Sequence, residues 1–241
     1  KLFRQYSHTC KKKMNLAIIP ARLGSKKLSK KNIKLFYGRP IISYSIDSAK
    51  KTKIFDKIIV STESIKLKKI AERYGAEVPF LRPKKIADDK THFNEAIIQT
   101  KIDLKKKNYK IKNVCCIYPT SPLINYKDIV KGFNLLKKSS SYVFSACEYI
   151  SPPQRSFYFK NRNLKLLLSS NYKKRSQDLN KIYHDAGQFY WGREQTWLKE
   201  KIIFNKRSKT VEVDYLNFMD INYLKDLNIA KKLYRVVLSG K

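Results

Sequence analysis

A chain of 241 residues, 42% of them hydrophobic, carries enough apolar side chain to order its own backbone, so global disorder is excluded despite a formal net charge of +34. The length suits one domain with a small appendage. No run approaches the roughly eighteen apolar residues of a membrane span, and no charged-then-apolar leader is visible, so the expectation is a cytoplasmic protein with no membrane partner.

Residues 1–13 are polar and basic without periodicity and read as a disordered tail or an upstream extension, the domain proper running over 14–241 from Met14. Short apolar runs then alternate with longer amphipathic ones. They predict strands over Leu16–Ile19, Lys57–Ser61, Glu77–Leu81, Asn113–Tyr118 and Tyr142–Cys147. Between them, helices are predicted over Pro40–Lys51, Ser64–Tyr74, His92–Lys107 and Tyr126–Lys138. Pro40 suits a first helical turn, and Gly75 a helix stop. Apolar strands separated by helices imply an α/β, doubly wound fold with a mainly parallel sheet covered on both faces, binding its ligand at the carboxyl ends of the strands.

The alternation fails over about 148–182. Ser151-Pro152-Pro153, the strand-like Phe157–Lys160 and Leu164–Leu168, and a basic run read there as an inserted β-rich arm that projects to meet a partner subunit. Strands at Gly187–Trp191 and Thr210–Val213 follow, with a last helix from about Asn222 to Val237; Trp191 and Trp197 read as core.

The charge first suggests nucleic acid. Yet 11 of the 53 basic residues are Arg and the rest are Lys, spread along polar helix faces, whereas base-reading surfaces concentrate Arg and interleave aromatics. The expectation is no nucleic-acid partner and a field suited to an anionic small molecule. Cys10, Cys115, Cys116 and Cys147 show no metal-ligand spacing and read as reduced thiols.

The segment after the first strand, Pro20-Ala21-Arg22-Leu23-Gly24-Ser25-Lys26-Lys27-Leu28-Ser29-Lys30-Lys31-Asn32, places Gly, Ser, Arg and several Lys where a triphosphate would be cradled. Gly24 would let backbone approach phosphate closely. The spacing is neither that of a P-loop nor that of a dinucleotide fingerprint. A lysine-rich protein also has lysine-rich loops by composition alone.

Pro20-Ala21-Arg22-x-Gly24-Ser25-Lys26-x-Leu28-x-x-Lys31-Asn32 resembles the amino-terminal signature of the CMP-sialic acid synthetase family, the cytidylyltransferases that activate nine-carbon acidic sugars. Leu81-Arg82-Pro83 with Ala87-Asp88-Asp89 resembles its second motif, Tyr118-Pro119-Thr120-Ser121-Pro122-Leu123 its third, and Asp220-Ile221-Asn222 with Asp226-Leu227 its terminal D-I-D-x-x-x-D-L. Arg175-Ser176-Gln177-Asp178-Leu179 and Tyr183-His184-Asp185-Ala186-Gly187-Gln188-Phe189-Tyr190 are similar to the pseudaminic acid branch, as is Leu81-Arg82-Pro83-Lys84-x-Ile86-Ala87-Asp88-Asp89; the sialic acid branch has Gln at the place of Tyr118 and Asn-Gly at Ala186-Gly187.

The resemblance implies a Rossmann-like nucleotide-diphospho-sugar transferase fold and a homodimer paired through the arm. It implies the reaction of CTP with pseudaminate to CMP-pseudaminate and pyrophosphate, serving surface glycans or flagellin, with N-acetylneuraminate, legionaminate or Kdo as alternative sugars. By motif position Arg22 and Lys31 would stabilise the triphosphate as catalytic residues. Ala21, Gly24, Ser25, Lys26, Asn32, Arg82, Thr120 and Ser121 would surround the nucleotide. Tyr118, His184, Asp185, Arg155 and Arg175 would meet the sugar, His184 having packing and general base as alternative roles and the two arginines surface exposure. Asp220 would ligate Mg²⁺ (or Mn²⁺) with Asn222, which departs from the family's acid, so that the metal is expected to have either a single protein carboxylate or a second from elsewhere, Asp185 being the candidate. A nucleic-acid-binding module, the reading of another class, predicts steep salt dependence and no CTP turnover.

Overall fold

The computed structural model describes residues 13–83, 85, 93–139, 141–168, 170, 173–199 and 202–239. The tail expected over 1–13 lies outside these residues except for Lys13, as do Cys10, Lys84, Ile86, Ala87, Asp88, Asp89 and His92. In chain order the strands are β1 (Met14–Pro20), β2 (Leu35–Phe36), β3 (Arg39–Pro40), β4 (Lys57–Ser61), β5 (Ile111–Ile117), β6 (Val143–Glu148), β7 (Phe157–Lys160), β8 (Asn163–Leu166), β9 (Tyr183–Arg193) and β10 (Lys209–Glu212). The helices are α1 (Ile42–Lys51), α2 (Ile65–Arg73), α3 (Phe93–Lys106), α4 (Tyr126–Leu136), α5 (Glu194–Lys199) and α6 (Leu224–Ser239).

Six strands form the central sheet in the order β10-β6-β9-β5-β1-β4. β1 runs parallel to both neighbours, with Ile18 opposite Ile59 of β4 and Cys116 of β5, and β10 runs parallel to β6. β9 alone reverses direction, lying antiparallel to β5 and β6, so the sheet is mainly parallel as expected. Its period-two alternation builds two cores. Ala17, Ile19, Cys115, Ile117, Phe189 and Trp191 pack on one face under α1, α2 and α4, while Leu16, Ile18, Val114, Cys116 and Tyr190 meet α3 and α5 on the other. Both tryptophans are core: Trp191 stacks on Phe55 at 5.2 Å and donates its indole N–H to Ile129 O (3.0 Å), and Trp197 donates to Val114 O (3.2 Å).

Local chemistry sets the element ends. Ser64 caps α2 by accepting the Leu67 N–H, and Gly75, with φ of +88°, turns the chain away after it. Two expectations are corrected. Glu77–Leu81 is not a strand: Glu77 bridges Ile59 and pairing stops there, since Pro79 has no N–H to continue a ladder. Pro40 does not open a helix; it closes the small hairpin of β2 and β3, and α1 begins at Ile42. The segment expected at Gly187–Trp191 is the inner half of the longer β9, and α5 was not anticipated.

A third cluster joins Leu28, Phe36, Ile41 and Tyr44 to Ile221, Leu227 and Ala230, fastening α6 beside the loop that follows β1. Between β6 and β9, the arm contains the antiparallel hairpin of β7 and β8, whose Phe157, Tyr158, Phe159 and Leu164 are all exposed.

Candidate active site

The loop after β1 is tied at several points. Ala21, fully buried, donates its N–H to Ser61 O at the end of β4 (2.9 Å). Leu23 donates its N–H to Glu63 Oε1 (2.7 Å), and the buried Asn32 donates its side-chain amide to Arg22 O (2.7 Å). Lys30 takes a left-handed φ of 52° before the 3-10 turn Lys31–Ile33. A Cβ placed at Gly24 would meet no heavy atom within 4 Å, so the space before it is open and no protein neighbour requires a glycine there.

Lys31 brings this loop to the carboxyl-terminal motif, its Nζ donating to Ile221 O (2.7 Å). Burial pushes its ammonium down from the ordinary lysine value; Asp220 and Asp226 pull it back, while Lys27 and Arg22 repel it further. Asp220 accepts the Asn222 side-chain amide at Oδ2 (2.6 Å). Asp226 accepts the backbone N–H groups of Asn222 (2.9 Å) and Tyr223 (2.7 Å) at the start of α6, which holds it below the usual carboxylate range. Asn222 therefore sits on the acidic motif as an amide donor.

Arg82 is placed by its backbone N–H on Thr62 O (2.8 Å). Its side chain is 6% exposed, its Nη2 lies 3.4 Å from Glu63 Oε2, and its Nε has no acceptor among the described residues. Burial lowers its guanidinium value, Glu63 raises it, and Arg22 lowers it again, so Arg22 stands close enough to repel both Arg82 and Lys31.

Thr120 and Ser121 are buried in the turn beyond β5. Tyr118 ends that strand, its N–H on Gln188 O (2.9 Å) and its carbonyl accepting the Ser45 hydroxyl (2.8 Å). Its ring lies against that of Tyr190, centroids 5.4 Å apart, and Tyr190 donates to Asp185 Oδ2 (2.5 Å). Asp185 Oδ1 accepts the N–H of Gly187, whose φ of +58° folds the chain around that carboxylate (2.8 Å). Burial pushes both phenols up, so both remain neutral hydroxyls. Asp185 and Asp220 both act on the Tyr118 hydroxyl, which joins the β9 end to the carboxyl-terminal motif.

Other expected residues lie differently. The His184 ring packs between Tyr149 (4.8 Å) and Phe218 (5.1 Å), its Nδ1 3.0 Å from Asp185 O, the geometry of its packing alternative. Arg155 donates to Ser176 Oγ (3.2 Å) and Arg175 pairs with Asp178 (2.9 Å), an exposed cluster on the arm. Asp185, the candidate for a second metal carboxylate, accepts a hydrogen bond at each of its oxygens; no group of three His, Cys, Asp or Glu gathers as a metal cage among the described residues. Sequence reasoning missed Glu63 and Tyr190. Glu63 lies two residues beyond the end of β4, so the rule that ligands meet the carboxyl ends of strands could have found it. Tyr190 meets Asp185 across an irregularity in the pairing of β6 with β9, which no spacing announces.

A family model described as cytidylyltransferase matches residues 16–241. The pseudaminic acid cytidylyltransferase of Campylobacter jejuni subsp. jejuni serotype O:2 is 42% identical over 226 residues, covering 92% of this chain and 97% of that protein. The N-acylneuraminate cytidylyltransferase of Escherichia coli O18:K1:H7 is 29% identical over 217 residues, 89% of this chain and 51% of that one. The solved structure of a CMP:2-keto-3-deoxy-manno-octonic acid synthetase complexed with CTP shares the fold, with a TM-score of 0.68 at 12% identity over 92% of this chain and 98% of that one.

Proposed function

The chain belongs to the cytidylyltransferase family, and from that membership we propose that it transfers CMP from CTP to pseudaminate with release of pyrophosphate. The observation that carries the sugar is the 42% identity, over almost the whole of both chains, to a protein named for pseudaminic acid.

The anomeric hydroxyl attacks the α-phosphorus as the bond to the pyrophosphate oxygen breaks, a reaction that asks chiefly for positioning and charge neutralisation. Arg22, Lys31 and Arg82 supply three cations, the latter two substantially buried and each repelled by Arg22, an arrangement whose cost a triphosphate relieves on binding. Ala21, Gly24, Ser25, Lys26 and Asn32 shape the loop around the phosphates, and Thr120 and Ser121 face the nucleoside. Tyr118 and Asp185 orient the sugar as neutral donor and fixed acceptor, with His184 beside them and Arg155 and Arg175 reaching its carboxylate from the arm.

A divalent cation, Mg²⁺ or Mn²⁺, suits the residues present. Asp220 and Asn222 offer one carboxylate and one amide oxygen, and such an ion keeps waters and takes its remaining ligands from substrate phosphates. When bound it neutralises phosphate charge. Two copies pair through the exposed apolar hairpin of the arm, and the enzyme works in the cytoplasm; no described helix is long and apolar enough to cross a membrane.

The test is pyrophosphate release from CTP and Mg²⁺ with pseudaminate, N-acetylneuraminate, legionaminate and Kdo in parallel. Turnover confined to pseudaminate is expected; turnover with another sugar in its place sinks the choice of sugar while keeping the reaction class.

A further inference from the structure

We propose that Glu63 is a positioning residue for the nucleotide, its carboxylate spanning Leu23 and Arg82 so that the phosphate loop and the buried guanidinium are held in one arrangement before CTP arrives. The inference rests on the reading that this loop receives CTP, and is independent of which sugar follows.

Glu63 leaves the carboxyl end of β4 with its side chain 18% exposed. One oxygen takes the Leu23 N–H at 2.7 Å and the other faces Arg82 Nη2 at 3.4 Å. Its neighbours fix the span from below: Thr62 O accepts the Arg82 N–H (2.8 Å), Thr62 Oγ1 accepts the Ser64 N–H (3.2 Å), and Ser64 caps α2. The carboxylate thus stands on a hydrogen-bonded strand-to-helix turn between a loop backbone and a long side chain.

Charge explains why an acid is needed. Lys31 has Asp220 and Asp226 as counter-charges; among the described residues the carboxylate acting on Arg82 is Glu63. Without it, the buried Arg82 would keep the repulsion of Arg22 and lose this counter-charge. Glu63 also takes the Leu23 N–H for itself, so that donor is a strut of the loop and phosphate is left to the groups beyond it. The orphaned Arg82 Nε, buried without an acceptor among the described residues, is the donor that the anchored guanidinium keeps for ligand.

Glutamine at this place has one acceptor oxygen and no charge, so if that oxygen serves Leu23 its NH2 donor is turned to the guanidinium. Glu63→Gln is therefore expected to weaken CTP binding, read by calorimetric titration of the full chain without sugar, by about tenfold, the loss of one charge-assisted contact. kcat at saturating CTP and the KM for sugar stay within twofold of the parent, by the distinction between binding and transition-state effects, with "twofold" a rough tolerance. Glu63→Asp, which keeps the charge and shortens the reach, falls between parent and Glu63→Gln and serves should the amide variant fold poorly. On an Arg82→Lys background Glu63→Gln is expected to add little further loss, because the two residues act as one unit. Unchanged or tighter CTP binding in Glu63→Gln overturns the proposal. So does a loss that adds in full to that of Arg82→Lys, which would assign Glu63 to loop folding alone. A parent that binds CTP but turns over none of the four sugars tells against the proposed sugar and leaves this test intact.

Discussion

Lys31 answers to both halves of the site, since its ammonium belongs to the loop after β1 and its hydrogen bond to Ile221 belongs to the carboxyl-terminal motif. A partly desolvated cation acts strongly on charge that develops during reaction. Lys31→Ala is expected to lower kcat by about a hundredfold or more while CTP affinity falls less than about tenfold, as for removal of a preorganised charge donor. Steady-state kinetics beside direct CTP titration separates the two; an unchanged kcat removes Lys31 from the chemistry. At this scale the loop was legible because its cations are clustered within one segment, Arg22 to Lys31. Glu63 was legible only as a strand-end position, because its partners Leu23 and Arg82 come from other segments, and Tyr190 was not legible, because its bond to Asp185 within β9 depends on the irregular pairing of that strand with β6.

Among elements, α3 and α5 are joined by an unusual strut. Lys101 is 1% exposed, and its Nζ donates to Glu194 O (2.6 Å) where β9 gives way to α5. Burial lowers its value to about 8; Glu194 opposes that shift and Lys105 adds to it. Since the folded value lies below the unfolded one, both states are protonated below pH 8 and the fold bears the cost of a buried charge. As pH rises from 8 towards the unfolded value the folded state sheds its proton first, so stability rises with pH in that window. Lys101→Met is therefore expected to melt above the parent at pH 7, with the gap narrowing by pH 10, the relieved penalty being at most about 3 kcal/mol. Thermal melts of both proteins at the two pH values decide it, and a gap independent of pH refutes the buried charge. Continuous apolar runs made β1, β4 and β5 readable, and Ser64 with Gly75 marked the ends of α2. The reversed direction of β9 was not readable, since Phe189, Tyr190 and Trp191 are buried on both sides whichever way the strand runs. Pro40 misled because a fixed φ suits a hairpin edge as well as a first helical turn.

For the whole molecule, a net charge of +34 with so little acid to offset it gives a field that draws a triphosphate and a sugar carboxylate from solution. The same field opposes self-association, so the proposed pairing of two copies needs apolar contact, and the hairpin of β7 and β8 exposes an apolar face of that kind. Phe159, 69% exposed, stands at its face without a burial role in the single chain. Phe159→Asp is expected to convert a dimer into a monomer in sedimentation velocity without lowering the melting temperature of the core; a parent that sediments as a monomer at assay concentration removes the pairing. The arm was legible as an interruption of the strand–helix rhythm at two prolines, while its partner was not, because nothing within one chain names what an exposed aromatic face will meet.

The arm's roots carry a further consequence. Glu148 of β6 lies opposite Tyr183 of β9, and the Tyr149 N–H donates to Ile182 O (3.0 Å), so the chain departs from the sheet and rejoins it on adjacent, hydrogen-bonded residues. Everything between those two points is a closed detour. Antiparallel neighbours of this kind can be joined by a two-residue turn, which makes the arm an exchangeable cassette: it can be shortened, lengthened or transplanted from a relative while the six-stranded sheet and the loop after β1 keep their register.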